Sequence, residues 1–259
     1  MPLAETTRLA DARPIEAREV SWLFSSAPPE EASHFFGAFA SIDSFTGAGI
    51  AEVERNLARW KGASARAHPF RPQGPIHLAL HFLRCISSEA TTVTASQAKL
   101  SLPSDLVTRP DRRPLLVLHP GSGGRWKRWS RSGFGEVARR WQERSGASLV
   151  VIGPAEEDEF TEWCRGQFRV ANGLDVVALA GLFAGCDAYL GNDSGASHLA
   201  AAVGARGVAL FGPTDPECWR PISDGLRSLR LEPWSGCDDA ASGDAIDAVE
   251  RAVASAASP

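Results

Sequence analysis

Two regimes of hydrophobic patterning divide the chain. From residue 115 onward, short apolar runs alternate with stretches of helical spacing. LLVLHPG (115–121) is an apolar run closed by glycine, which predicts a buried parallel strand. Phe134, Val137, Ala138 and Trp141 then recur at helical spacing within 132–145, and Gly146 stands where a helix stop belongs. SLVVIGP (148–154) predicts a second strand, AEEDEFTEWCRGQ (155–167) a helix whose early acids suit its dipole, and FRVAN (168–172) a third strand. Helices over 175–186 and 194–204 flank a strand at AYLGN (188–192), and RGVALFG (206–212) gives another strand, followed by a loop, PTDPECWRP. A strand near 227–231, an alanine-rich helix over 244–256 and a frayed ASAASP tail complete the pattern. Strands alternating with helices predict an α/β fold with a parallel sheet covered on both faces. Such sheets bind ligands at the carboxyl ends of their strands.

The first hundred residues are patterned differently. VSWLFSS (20–26) predicts a strand, 29–40 and 49–60 predict helices, and IHLALHFLRCI (76–86), apolar on more than one face, predicts a core helix. SLPSDLVTRPDRRP (101–114), with three prolines and a charge cluster, reads as a linker. Two domains follow, 1–105 and 106–259.

Composition narrows the classes. With 44% hydrophobic and 22% charged residues the chain is not predominantly disordered, and a net charge of −4 argues against a general nucleic-acid binder. No apolar run approaches the roughly 18 residues of a membrane span. The opening MPLAETTRLADARP lacks a signal-peptide pattern, so a cytoplasmic location is expected. Five scattered cysteines without a CxxC fit reduced thiols and argue against zinc.

The candidate chemistry lies in loops after the strands. In HPGSGGRWKRWS (119–130), Gly121, Gly123 and Gly124 let backbone N–H groups approach an anion, and Ser122 adds a hydroxyl. Arg125, Lys127, Arg128 and Arg131 add positive charge, so a diphosphate is the natural guest; a tight turn with a solvated basic face is the competing reading. The pattern is neither a P-loop nor GxGxxG. In GNDSGASH (191–198), Asn192 and Asp193 stand at a strand end, Ser194 and Gly195 open a helix, and His198 lies one turn further on the same face. That arrangement suits phosphate binding, or simply a capped helix with a satisfied histidine. A hydrolytic Ser194–His198–Asp193 set fits poorly, lacking GxSxG and separate segments. Glu156 or Glu157 in GPAEEDE could accept from a sugar hydroxyl, or serve only the helix dipole.

Taken in order, HPGSGGRWKRWS, GFGEVARRW, VVIGPAEE, LAGLFAGCDAYLGNDSGASHLAAAVG and VALFGPTDPECWRP resemble glycosyltransferase family 9, the ADP-heptose:lipopolysaccharide heptosyltransferases, over about residues 115–221. The resemblance implies a GT-B-like fold: a Rossmann-like C-terminal donor domain beside a truncated N-terminal α/β domain on the acceptor side. It implies that Ser122 and Gly123 contact the donor phosphates, Lys127 neutralises them and Glu156 sits near the nucleoside. Asp193, Ser194, Gly195 and His198 would hold the sugar and diphosphate, with Lys127 and Asp193 central to catalysis. His119 and Pro120 would shape the loop, and Trp129 would pack. Transfer in the family is inverting and metal-independent, needs no cofactor beyond the nucleotide-sugar substrate, and uses a glycan or glycolipid acceptor embedded in the inner leaflet. That leaves room for transient membrane contact.

The chain departs from the family at its start. The usual N-terminal strand and Gly-Asp loop, whose Asp is the expected base, are not found, so the N-terminal half reads as shortened. Asp43 in SIDSF is the one carboxylate to name as a substitute, and only weakly, since a surface-loop acid is the more natural reading. The leading expectation is transfer of a heptose or related sugar from a nucleotide-diphosphate donor, ADP-heptose first, to a lipopolysaccharide-type glycan. The alternative is a nucleotide-sugar-binding partner or regulator without catalysis. A third option is isomerisation or cleavage of a nucleotide sugar.

Overall fold

The computed structural model describes residues 15–61, 64–144, 146–154 and 157–257, without the side chains of 157–159. It separates into two compact units, Asp11–Val93 and Thr94–Pro259.

In the first unit the elements are α1 (Arg18–Ser21) running into a 3-10 turn (Trp22–Phe24), α2 (Glu30–Gly37), β1 (Ile42–Ser44), α3 (Ala51–Lys61), β2 (Ala65–Ala67) and α4 (Leu78–Ile86). Val53, Asn56, Leu57 and Trp60 form the buried stripe of α3, at the three-and-four spacing of one helix face. Trp60 stacks on Phe36 with ring centroids 4.4 Å apart. Trp22, Leu23 and Ala32 close this core.

The strand expected over 20–26 is instead a pair of helical turns. Adjacent strand residues point to opposite faces, whereas Trp22 and Leu23 are both buried in one cluster. The Asn56 amide donates to the carbonyls of Trp22, Leu23 and Ser25, groups that a strand would pair with a neighbour. A short apolar run does not distinguish the two outcomes by periodicity. The core helix expected over 76–86 forms as α4, but none of its residues is buried and Ile86 is exposed.

The second unit begins with α5 (Ala95–Ala98), closed by a Thr94/Gln97 capping box. There follow β3 (Leu115–His119), α6 (Arg131–Arg144), β4 (Ala147–Ile152), α7 (Glu157–Cys164), β5 (Arg169–Asn172), α8 (Val176–Gly185) and β6 (Ala188–Asn192). The unit ends with α9 (Gly195–Ala202), β7 (Gly207–Phe211), α10 (Pro216–Trp219), β8 (Leu226–Arg230) and α11 (Gly243–Ala257). The stretch after β7, expected as loop, thus holds the short helix α10; Asp215 caps it by accepting from Glu217 N–H at 3.0 Å.

All six strands pair in parallel, in the order β5-β4-β3-β6-β7-β8. Every residue of β3, β6 and β7 is buried, which explains their unbroken apolar runs. Alternate strand residues point to two cores. Leu116, Leu118 and Leu190 meet Phe134, Phe160 and Val249 on one face; Val117, Tyr189 and Phe211 meet Phe183 and Ala200 on the other.

The stretch read as a linker carries no regular element over 101–114 but is docked. Leu100 N–H donates to Ala202 C=O at 2.7 Å and Thr108 N–H to Gly181 C=O at 3.0 Å. A Cβ on Gly181 would lie 2.0 Å from Leu106 O, and one on Gly185 1.7 Å from Thr108 O, so these two glycines give α8 a flat side for the chain to lie against.

Candidate functional site

The chain proceeds from β3 outward to β4 and β5, then returns to place β6 on the other side of β3. This reversal opens a crevice beyond the carboxyl ends of β3 and β6, the usual ligand position in such sheets. The loops carrying the sequence candidates leave these two ends.

One buried amide ties them together. Asn192 accepts from Trp129 N–H at 3.0 Å and donates to Pro120 C=O at 2.7 Å, holding both ends of the loop after β3. The buried Ser122 hydroxyl donates to Asp193 C=O at 2.7 Å. Its proton therefore joins the two loops. Arg128 turns inward and donates to Ser122 C=O through Nε at 3.2 Å and Nη2 at 3.1 Å, its guanidinium 6.0 Å from the Phe160 ring. Trp129 is fully buried, as packing requires; a Cβ on Gly133 would come within 2.5 Å of its indole. These cross-links fix the backbone before any ligand arrives.

The charged centre is Asp193, buried after β6. Its Oδ2 accepts from Lys127 Nζ at 3.3 Å and from Thr214 Oγ1 at 2.9 Å. Ser194 caps α9 by accepting from Ser197 N–H. Ser197 Oγ in turn donates to Asn192 C=O at 2.6 Å and meets Tyr189 OH at 3.0 Å. The first N–H groups of a helix lack intrahelical acceptors and favour an anion.

Gly123 and Gly195 are both exposed, and a Cβ on either would meet nothing within 4 Å. Neither has the positive φ that demands glycine. The protein's own packing therefore does not require glycine at these positions, and the bare backbone there is open to close approach.

Hydrogen bonds thus bring Ser122, Lys127 and Asp193 together, with Gly123, Ser194 and Gly195 adjoining them in the chain. His198 is exposed, one turn into α9. Glu156 lies outside the described residues. Asp43 belongs to the other unit and lies on β1, not in a surface loop.

The basic cluster expected beside the loop is largely redirected. Besides the inward Arg128, Arg125 reaches Asp238 Oδ2 at 2.6 Å and Arg131 pairs with the other oxygen of Asp238. That acid sits on a segment zipped across the loop: Ser130 N–H donates to Ser235 C=O and Arg131 N–H to Cys237 C=O, both at 3.1 Å. His119, at the end of β3, is buried with Nδ1 unpartnered among the described residues. Burial, aided by the charge of Arg128, lowers its pKa from 6.5 to about 4.

Thr214 and the bracing role of Asn192 were not legible as site features. The loop after β7 signalled order through its prolines, but nothing in one sequence says which distant carboxylate a threonine meets.

The family model for glycosyltransferase family 9 (heptosyltransferase) matches residues 81–241, more than half of the chain. The chain belongs to this family. Lipopolysaccharide heptosyltransferase 2 of Salmonella typhimurium is 31% identical over 149 residues, covering 52% of this chain and 42% of the relative. Lipooligosaccharide heptosyltransferase 2 of Haemophilus influenzae is 30% identical over 132 residues, 46% of this chain and 37% of its own. The chain thus spans less than half the length of these relatives.

A family 9 glycosyltransferase structure from Veillonella parvula superposes with TM-score 0.63 at 17% identity, over 86% of this chain and 70% of that one. An E. coli heptosyltransferase solved with ADP gives 0.62 at 17% identity, over 95% and 84%. These likenesses are of fold, and they agree with the α/β architecture. Every residue of the switch-point site falls inside the family 9 match, whereas Asp43 precedes it. Among the described residues no helix is long and apolar enough to cross a membrane, and no group of three or more His, Cys, Asp or Glu side chains is placed to hold a metal ion.

Proposed function

We propose that this family 9 protein transfers a heptose or related sugar from a nucleotide-diphosphate donor, ADP-heptose first among candidates, to a lipopolysaccharide-type glycan in the cytoplasm. Transfer is inverting and independent of metal or cofactor. The observation that carries this reading is the open space beside Gly123 and Gly195, flanked by Lys127 and the start of α9, at the sheet's reversal point.

Inverting transfer moves negative charge onto the departing diphosphate. Helix-start N–H groups and the Lys127 ammonium, set in advance, are suited to stabilise it. Lys127 meets Asp193 at 3.3 Å, so an entering diphosphate competes with this carboxylate for the ammonium, while Thr214 also holds the carboxylate. Ser194, Gly195 and His198 lie along the sugar and diphosphate, and Glu156 serves the nucleoside. An acceptor in the inner leaflet would bring the protein to the membrane surface transiently.

Calorimetry with ADP tests the donor site. Wild type should bind, and Lys127→Ala should weaken binding about 100-fold, the loss of a charge-assisted contact of roughly 2–3 kcal/mol. Absence of ADP binding in wild type would sink the reading. The alternative, a nucleotide-sugar-binding partner without catalysis, keeps the same donor site and draws on the first unit's sheet, which among the described residues has two three-residue strands. ADP release that depends on heptose-deficient lipopolysaccharide separates the two.

A further inference from the structure

The loop after β7 reaches the switch-point site through one side chain, and its own anchors are firm. Phe211 ends β7, and its C=O accepts from Leu231 N–H at 2.9 Å. Gly212 is buried beneath the Trp234 ring, which a Cβ would meet at 2.1 Å. Asp215 caps α10, and its C=O accepts from the N–H groups of Cys218 and Trp219, both at 3.1 Å. Pro213 and Pro216 restrict the backbone between these anchors. Thr214 is thus fixed from both sides, half-buried, with a β-branched side chain of few rotamers.

The Thr214 hydroxyl donates to Asp193 Oδ2 at 2.9 Å, the same oxygen that Lys127 Nζ meets at 3.3 Å. A carboxylate only accepts, so the Thr214 proton is committed there. The Asp193 backbone is held as well: its N–H donates to Leu210 C=O at 2.9 Å, and its C=O accepts from Ser122. Both contacts to the carboxylate fall on one oxygen. The other, Oδ1, has no hydrogen-bond partner among the described residues, yet unlike His119 Nδ1 it is not sealed from the surface. The Asp193 side chain keeps 8% exposure. Native structures pair nearly all such atoms, so an oxygen left this way is an acceptor held open for a guest. The two donors on Oδ2 also differ. Lysine is a flexible cation that a diphosphate can draw away, whereas threonine is neutral, short and anchored, so its bond outlasts that competition.

We propose that Thr214 is a positioning residue for the donor sugar: by holding Oδ2 it turns Oδ1 of Asp193 toward a sugar hydroxyl. The assignment rests on the transferase reading above and deepens it, because it names what reads the sugar rather than the diphosphate. A hydroxyl that donates to Oδ1 makes a charge-assisted hydrogen bond whose geometry is set before binding. A nucleoside diphosphate without the sugar gains nothing from it. In the absence of the Thr214 hydroxyl, Lys127 alone holds the carboxylate, and once a diphosphate takes the ammonium the carboxylate turns freely.

Calorimetry on the full chain, with ADP and with ADP-heptose in the absence of acceptor, gives the ratio of the two affinities. Thr214→Val keeps the shape and removes the hydroxyl. It should lower the preference for ADP-heptose over ADP about tenfold, the loss of a hydrogen bond to a charged partner. Thr214→Ser, which keeps the hydroxyl, should stay within about threefold of the wild-type ratio. A threonine that merely shaped the pocket would weaken both ligands alike and leave the ratio unchanged. Should Thr214→Val lower the melting temperature, Thr214→Ala carries the same ratio test, since it puts no methyl against the carboxylate. A ratio within about threefold of wild type in whichever of these two variants is read, or a tenfold loss in Thr214→Ser as well, overturns the proposal. Wild type that binds ADP while the ratio does not move overturns this assignment alone. Wild type that does not bind ADP overturns the transferase reading, and this assignment with it.

Discussion

Both units gather polar side chains just beyond parallel strands, yet they hold them differently. In Thr94–Pro259 the loops are braced by buried donors: Asn192 across the loop after β3, Ser122 to Asp193, Arg128 beneath Ser122 and Ser197 under Asn192. In Asp11–Val93 a single Asp43–His68 pair and a stacked phenyl ring stand at the end of a two-stranded sheet, beside the exposed Phe70. A site that stabilises developing charge benefits from dipoles fixed beforehand, since reorienting them during reaction would add to the barrier.

The sharpest way to break this comparison is Trp60→Ala, which removes the ring stacked on Phe36. It should destabilise the first unit by ~4 kcal/mol. Denaturant unfolding should show an early transition, with ADP binding by calorimetry intact. A matching loss of ADP affinity would mean that the two units do not act separately. Next in size is Asn192→Ala, which leaves the buried Trp129 N–H and Pro120 C=O without their partner. Roughly 3 kcal/mol of stability should go, and ADP affinity should fall with it; unchanged affinity would show that the brace does not shape the site.

The effect that is smallest per step is gradual and concerns pH. The folded state depresses the His119 pKa from 6.5 to about 4, so below pH 6.5 the unfolded chain takes up a proton that the folded chain refuses. Stability should fall as pH drops from 6.5 to 4, by about 1.4 kcal/mol per unit along the steep part, and level off below. Melting curves over this range should show the slope in wild type and a shallower one in His119→Asn. Equal slopes would place the titration elsewhere.

Legibility in the sequence follows the same divide. Strands buried on both faces are written as continuous apolar runs, so AYLGN is read to the residue, and LLVLHPG begins where the strand begins but runs two residues past its end at His119. Loops at their ends could be named as phosphate-binding candidates because glycine, serine and lysine declare their chemistry locally. What sequence did not show was pairing at a distance. Arg125, Arg128 and Arg131 looked like charge offered to a ligand and proved committed to Asp238 and to Ser122 C=O. In the first unit most packing residues are only partly covered, and an amphipathic run such as VSWLFSS supports helix or strand equally until Asn56 claims its carbonyls. Asp43 read as a loose acid because His68, which fixes it, lies 25 positions away.

The fastening of Arg125 and Arg131 to Asp238 has a kinetic consequence. Asp238 supplies one negative charge against these two cations, and Asp193 one against Lys127, so positive charge remains in excess beside the crevice and acts within a Debye length, about 8 Å at physiological ionic strength. Encounter with an anionic guest is then steered at short range, and added salt slows it. Discrimination among the many phosphate compounds of a cell falls to contacts made after collision.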